Sequence, residues 1–242
     1  FFTMEKIVYS VIQATIRTFR YDEVVNFCEV RKAWGGFSNM SGEYPILYNG
    51  VTYPSSEHLY LAGRFSNPDI VASIIKHTNA MYCKRRFRGH AWDSYVRPDW
   101  GRIFLQWMRF VLNLKYEQHQ SFRRLLRETE GRIILEDSTM HTGSNPLGGH
   151  SSLFWGAKDL TRREAIRNAR RRIMREGRSE GWSQSRLKSA GKQIREQITE
   201  TVRGEFIGVN MLGLLLTELR DLGHLECNVP EEMKRITCAT TL

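Results

Sequence analysis

The stretch Tyr53-Pro54-Ser55-Ser56-Glu57-His58-Leu59-Tyr60-Leu61-Ala62-Gly63-Arg64-Phe65 fixes where a helix begins, and so constrains what can lie on either side of it. Pro54 closes an extended run, because its ring removes a backbone donor and keeps the residue before it out of helical geometry. Ser55 and Ser56 are natural N-cap residues. A helix starting there puts Glu57 and Arg64 about two turns apart on one face, with His58 pointing elsewhere. The partial positive charge of the helix start keeps a first-turn Glu ionised and attracts anions. The same residues also fit a capping carboxylate with a distant surface arginine.

The neighbouring stretches give further elements. Pro45 to Tyr53 reads as two short strands around the Asn49-Gly50 turn. After Arg64 the chain continues helical with Ile70, Ile74 and Ile75 as its buried stripe. It then turns basic and irregular through Lys84-Arg85-Arg86-Phe87-Arg88-Gly89-His90, a run that fits either phosphate contact with base stacking or a solvated loop. Trp100, Phe104, Trp107, Met108, Val111 and Leu114 repeat at helical intervals and belong mostly to the core, which leaves Trp100, at the helix start, as the site candidate. Arg123 to Thr129 predicts another helix, closed by Gly131. Ile133-Ile134-Leu135 predicts a buried strand, and Glu136 at its end is placed to leave the core for a cleft. The loop Gly143 to His150 lacks the order of a phosphate-binding loop and its Lys-Ser/Thr, which argues against a nucleoside triphosphate site. Residues 4 to 19 carry apolar side chains at three- and four-residue intervals and predict a helix docked on the core. Gly208 to Leu222 predicts a last core helix on Leu212, Leu215, Leu216 and Leu219, with Asn210 in a first turn whose free N–H groups suit a diphosphate. The tail after Gly223 shows little pattern and is expected to be a short peripheral segment.

Charge is concentrated in one segment. Residues 158 to 205 hold 14 Lys or Arg against 7 Asp or Glu, which is +7 of the chain's formal +10. Ile166, Ala169 and Ile173 mark one helix, and Leu187, Ala190, Ile194, Ile198 and Val202 a second, with Arg178 to Ser183 as the turn. The result is a basic helical hairpin between Trp155-Gly156 and Gly208. Arg163, Arg167, Arg170 and Arg171 are expected on one face, where they suit phosphates of DNA or RNA; a solvated, charge-laced hairpin is the alternative.

Taken together, Trp34-Gly35-Gly36-Phe37-Ser38-Asn39-Met40, the Tyr53-Pro54-Ser55-Ser56-Glu57-His58 helix start, the Trp100 to Lys115 helix, the strand ending in Glu136, Phe154-Trp155-Gly156 and Gly208-Val209-Asn210-Met211-Leu212-Gly213 resemble the NADAR family, also called YbiA-like. The likeness spans about residues 24 to 157 and 206 to 223. It implies ligands of the ADP-ribose type: some members hydrolyse N-glycosidic bonds of riboflavin-pathway intermediates, others remove ADP-ribose from guanine bases in DNA. On this likeness Glu57 matches the family's essential glutamate and Glu136 a second carboxylate that holds ribose hydroxyls or water. Asn39, Ser56, His58, Trp100, Trp155, Gly156, Asn210 and Gly213 fall where the substrate is held. Two positions depart from the pattern. Arg64 stands where many members have a lysine, and an arginine keeps its proton, so a Schiff base is closed to it and a cationic or bidentate role remains. Ser152 stands where the family usually has an aspartate three residues before the Trp, with Asp137 or Asp159 as compensating candidates.

Composition bounds the rest. The 242 residues suffice for one core with an inserted module, and their apolar and aromatic content is that of a folded chain. No run approaches the roughly 20 apolar residues of a membrane span, and no signal segment opens the chain, which leads us to expect a cytoplasmic protein. Cys28, Cys83, Cys227 and Cys238 form no Cys-x-x-Cys pair, and the seven histidines no His-Glu-x-x-His spacing, so neither a disulfide framework nor a metal site is expected. The expected fold is α+β and mostly helical: an N-terminal helix over residues 1–23, a core over 24–157 and 206–242 with a small sheet from residues 24 to 53 and 133 to 136, and the inserted hairpin at 158–205. The expected activity is an N-glycosidase releasing ADP-ribose from modified guanine in nucleic acid, without a cofactor. The alternatives are an N-glycosidase for a small phosphoribosyl metabolite and a non-catalytic module binding ADP-ribose or nucleic acid.

Overall fold

The computed structural model describes residues 15–141 and 152–235. Its first half runs β1 (Arg17–Phe19), β2 (Val24–Phe27), β3 (Ile46–Tyr48), β4 (Val51–Tyr53), α1 (Ser56–Ala62), α2 (Pro68–Lys76), α3 (Ala80–Phe87), α4 (Trp100–Gln118), α5 (Gln120–Arg127) and β5 (Ile133–Glu136). The second runs α6 (Ser152–Trp155), β6 (Ala157–Asp159), α7 (Leu160–Ser179), α8 (Gln184–Thr201), β7 (Phe206–Gly208), α9 (Met211–Leu222) and α10 (Glu231–Lys234). The fold is α+β and mostly helical, as the sequence suggests. The strands, however, make three small sheets rather than one: β3 with β4, β2 with β5, and β7 between β1 and β6. The hairpin β3–β4 turns where expected, on Asn49 (φ 50°) and Gly50 (φ 76°), both in the left-handed region such a two-residue turn requires.

The helix expected over residues 4 to 19 falls mostly on residues outside those described, and its end is corrected: Arg17–Phe19 is a strand, pairing antiparallel with Phe206–Gly208. The partners lie far apart along the chain, and local periodicity carries no signal for such a pairing. The run Lys84 to Phe87 is not irregular either; it completes α3, whose start is capped by Asn79 accepting from the Tyr82 N–H. The α2 stripe is Ile70, Val71 and Ile74, with Ile75 only half-buried.

The chain divides into two compact units. The first, residues 25–134 and 212–235, is organised on α1, all of whose residues are buried. Asn67 caps α2 by accepting from the Asp69 and Ile70 N–H groups, with Pro68 in the first turn. This arrangement stabilises the helix start by about 1 kcal/mol. Leu61, Phe65, Ile70, Ile74, Cys83 and Phe87 then form one apolar cluster, against which Trp92 and Val96 pack. Gly63 has a steric reason, since a Cβ there would lie 2.1 Å from the Trp107 indole nitrogen, whose N–H donates to the Leu59 carbonyl. The tail is a correction: Leu225, Val229 and Met233 are buried, and the Asn113 carboxamide both donates to and accepts from the Leu225 backbone.

The second unit, residues 15–24 and 135–211, holds the β1–β7–β6 sheet and the hairpin α7–α8. Asp159 caps α7 through the Arg162 N–H, and Ser183 caps α8 through the Arg186 N–H. Ile166 and Leu187 are buried, and a Cβ on Gly177 would meet Leu187 at 2.5 Å, so the helices cross closely at the turn end. Beneath α7 lies a buried charge network. The Arg162 guanidinium donates to Asp137 and to the Thr139 hydroxyl, its Nε stands 3.7 Å from Asp159, and its plane lies over Phe206. Asp159 also accepts from the Gly204 N–H. Both acids considered as substitutes for the family's missing aspartate are therefore engaged with Arg162. No helix among the described residues is long and apolar enough to cross a membrane.

Candidate active site

In the first unit, Glu57 occupies the first turn of α1 and is 3% exposed. Its backbone N–H donates to the Asn39 carbonyl at 2.8 Å, tying the turn after Phe37 to the helix start. Its Oε1 lies 3.2 Å from Arg88 Nη2, within ion-pair reach but without hydrogen-bond alignment. The Arg88 guanidinium rests over the Tyr60 ring at 5.5 Å, and Tyr60 in turn packs on Trp100 at 5.3 Å. Arg64 donates to the Phe87 carbonyl at 2.7 Å. Arg64 is not on α1, which ends at Ala62, but its N–H still reaches the Leu61 carbonyl, so the chain keeps turning and brings Arg64 to the same cluster. Burial, then the neighbouring Arg88, lowers the Arg64 pKa, while burial raises that of Tyr60, which stays a neutral phenol.

The cluster leaves several buried polar atoms without a hydrogen-bond partner among the described residues: Asn39 Oδ1, Ser56 Oγ, Glu57 Oε1, Arg64 Nε and Arg88 Nε. Each such atom costs about 1–3 kcal/mol when nothing satisfies it, so five on neighbouring elements mark a place built to receive a polar group. His58 differs, because its Nδ1 accepts from the Ser55 hydroxyl at 2.8 Å and its Nε2–H donates to the His77 carbonyl at 2.7 Å. Burial lowers its pKa, which favours the neutral ring that this pair of bonds fits. Both nitrogens of His58 are thus used inside the protein, and Ser55 spends its hydroxyl on the ring rather than on capping α1.

The Asn39 turn is held from below by Lys115, which is fully buried. Its Nζ donates to the Gly36 carbonyl at 2.7 Å and sits 4.2 Å from the Phe122 ring centre and 4.9 Å from that of Tyr44. Burial pushes its pKa down to about 7, from an ordinary value of 10.5. Since the unfolded chain keeps this proton up to its ordinary pKa and the folded chain releases it near 7, folding stability rises with pH between those values. The slope approaches about 1.4 kcal/mol per pH unit. Thermal melts at pH 6.5 and 9 should show wild type gaining over that interval and Lys115→Met losing most of the gain; equal slopes in the two proteins would refute the assignment.

Gly213 is buried in α9 of the first unit, where its carbonyl accepts the Thr217 hydroxyl. The other expected residues lie in the second unit. Glu136 ends β5, as expected, and is half-buried. Its backbone N–H donates to the Asn210 side-chain oxygen at 3.0 Å, and the Asn210 N–H donates to the Gly156 carbonyl at 3.1 Å. Asn210 stands at φ 58°, ahead of α9 rather than in its first turn, and braces two backbones. Its N–H is therefore not free for a diphosphate. Gly156 is required by packing, as a Cβ would lie 2.4 Å from the Glu136 carbonyl oxygen. Trp155 is buried edge-on to Phe154. Of the four arginines expected on one face, Arg163, Arg167 and Arg171 line an open groove of about 450 Å³ with Leu160, Glu164 and Asn168. All six belong to α7, so this is a surface furrow rather than a substrate-sized pocket. Arg170 does not join them; its Nε lies 3.8 Å from the Cβ position of Gly191 on α8.

Arg88 is the residue that the sequence reading did not single out. It belongs to the basic run flagged there, but its engagement with a glutamate 31 positions earlier is set by how α3 ends beside α1.

Comparison with known proteins matches residues 24–143 to the NADAR domain. The stretches around Trp155, Asn210 and Gly213 lie outside that match. N-glycosidase YbiA of Escherichia coli strain K12 is 31% identical over 132 residues, covering 53% of this chain and 78% of that one. The Riboflavin biosynthesis protein VVA0006 of Vibrio vulnificus is 26% identical over 143 residues, covering 58% of this chain and 35% of that one. Among solved structures, the NMR structure of E. coli YbiA aligns at a TM-score of 0.46 and 24% identity, covering 74% of this chain and 87% of that one.

Proposed function

Because this chain belongs to the NADAR family, we propose that it is an N-glycosidase, and that its substrate is ADP-ribose attached to a guanine base in nucleic acid. The observation that carries the reading is Glu57, a buried carboxylate paired with the Arg88 guanidinium, which itself lies over Tyr60 and its neighbour Trp100. Cleavage breaks the C–N bond at the anomeric carbon of ribose and forms a C–O bond to water, while the base departs with a proton. Positive charge gathers on the sugar in the transition state, and a fixed carboxylate in a low-dielectric site stabilises it. Glu57 is assigned that role and the orientation of the water. Arg64 remains protonated, so it acts as a donor to substrate oxygens rather than as an amine nucleophile.

The basic furrow on α7 is the reason to choose a polymeric substrate: Arg163, Arg167 and Arg171 offer three cations along one helix, more than the phosphate of a small metabolite needs. The second reading, hydrolysis of a small phosphoribosyl intermediate, is favoured by the relative from V. vulnificus named for riboflavin biosynthesis. Incubating the protein with guanine-ADP-ribosylated DNA, and separately with small ribosyl phosphates, decides between them: free ADP-ribose released from DNA is expected. Turnover of the small substrates alone would establish the second reading, and turnover of neither would leave a binding module.

The furrow has its own test. Replacing Arg163, Arg167 and Arg171 with Gln should weaken DNA binding and flatten its salt dependence by about one unit of slope per lost contact. Arg170→Gln, on the side toward α8, should change neither. An unchanged salt slope in the triple variant would return α7 to a solvated helix.

A further inference from the structure

We propose that Arg88 and Arg64 together form a clamp for a phosphate group of the substrate, with Arg88 as its accessible jaw. The proposal rests on the N-glycosidase reading above only for the identity of the substrate. Its geometric basis is independent of that reading. Arg64 is 3% exposed and fixed to the Phe87 carbonyl, the residue next to Arg88, so both guanidiniums are anchored where α3 ends. Arg88 keeps 15% of its side chain exposed, enough for a ligand to reach it from solvent while its plane stays supported by Tyr60.

The charge balance points to an anion. Around Tyr60 two guanidiniums, Arg64 and Arg88, accompany one carboxylate, Glu57, which pairs with Arg88; Asp93, the next acid near Arg64, is largely exposed and paired with His90. The hydrogen-bond balance agrees: the Nε–H of each arginine is buried without an acceptor among the described residues, and the Arg88–Glu57 contact lacks hydrogen-bond alignment. Two unsatisfied donors on two fixed planar cations match the oxygens of a phosphate, which guanidinium binds in bidentate fashion. A neutral sugar or base can accept from these donors but leaves the excess positive charge unanswered, which a phosphate does not. The same chemistry is offered by the diphosphate of ADP-ribose and by the monoester of a phosphoribosyl metabolite.

Calorimetric titration of the full chain with inorganic pyrophosphate, ADP-ribose, ribose 5-phosphate, adenosine and a single-stranded DNA oligonucleotide tests this, using wild type, Arg88→Gln and Arg88→Lys. Arg88→Gln should weaken pyrophosphate and ADP-ribose by about ten- to a hundredfold, the usual loss for a charge-assisted bond. Adenosine should bind unchanged, and Arg88→Lys should recover part of the loss. A comparable loss on ribose 5-phosphate supports the clamp with a monoester as its source; no loss there supports it with a diphosphate. The proposal is overturned if pyrophosphate binds Arg88→Gln as tightly as wild type, if adenosine falls in parallel, if wild type binds no phosphate, or if only the oligonucleotide is affected. Because these are binding measurements, a protein that loses pyrophosphate on Arg88→Gln but cleaves no N-glycosidic bond keeps the clamp and loses the enzymatic reading.

Discussion

Glu57→Gln should lower turnover by on the order of a thousandfold while ADP-ribose binding stays within about tenfold of wild type. The substitution keeps the size of the side chain and removes only its charge. That charge matters most when the ribose becomes cationic, so the loss should fall on kcat rather than on ground-state affinity. Removing it also leaves Arg88 without its counter-charge, which favours anionic ligands and opposes any loss of affinity. Single-turnover rates and equilibrium binding on the same preparation separate the two effects. Parallel losses of rate and binding would mean that Glu57 serves ground-state recognition, and full activity would remove it from the mechanism.

Asp137→Ala is expected to be the most destabilising single change in the second unit, at about 3–5 kcal/mol. Arg162 is 2% exposed, and its best partner is Asp137; Asp159 stands further from it and is already capping α7 and receiving the Gly204 N–H. Deleting Asp137 therefore leaves a buried guanidinium short of its closest acceptor, and also removes the carboxylate that accepts the Thr139 N–H. Thermal unfolding should drop by about 10 °C for a chain of this size. A loss below about 1 kcal/mol would show that solvent or Asp159 compensates, and that this network is not what holds α7 to the loop after β5.

What was legible in the sequence is what short-range chemistry decides. Pro54 closed the strand before α1, Asn49-Gly50 set a hairpin turn, and the apolar spacing from Trp100 set α4, because strand ends, left-handed turns and helical stripes depend on residues a few positions apart; the serines marked where α1 starts, although neither hydroxyl caps it. The nomination of Glu57 and Arg64 came from the family likeness of that same segment, and the structure puts both in one cluster even though α1 stops before Arg64. The hairpin α7–α8 was likewise visible, as two stripes and a turn.

What the tertiary structure alone decided is which of these local pieces meet. Arg88 reaches Glu57 only because α3 ends beside α1, and Lys115 supports the Asn39 turn from a helix that its own spacing marks as core. Arg17–Phe19 becomes a strand because Phe206–Gly208 offers it a partner. Asp137 and Asp159 looked like spare carboxylates until Arg162 was seen to take both. Asn210, expected to offer an N–H to a ligand, instead spends it on Gly156. In each case the deciding energy is that of satisfying a buried polar group or backbone edge with a partner distant in sequence, and no property of the residue or its neighbours in the chain records which partner folding will supply.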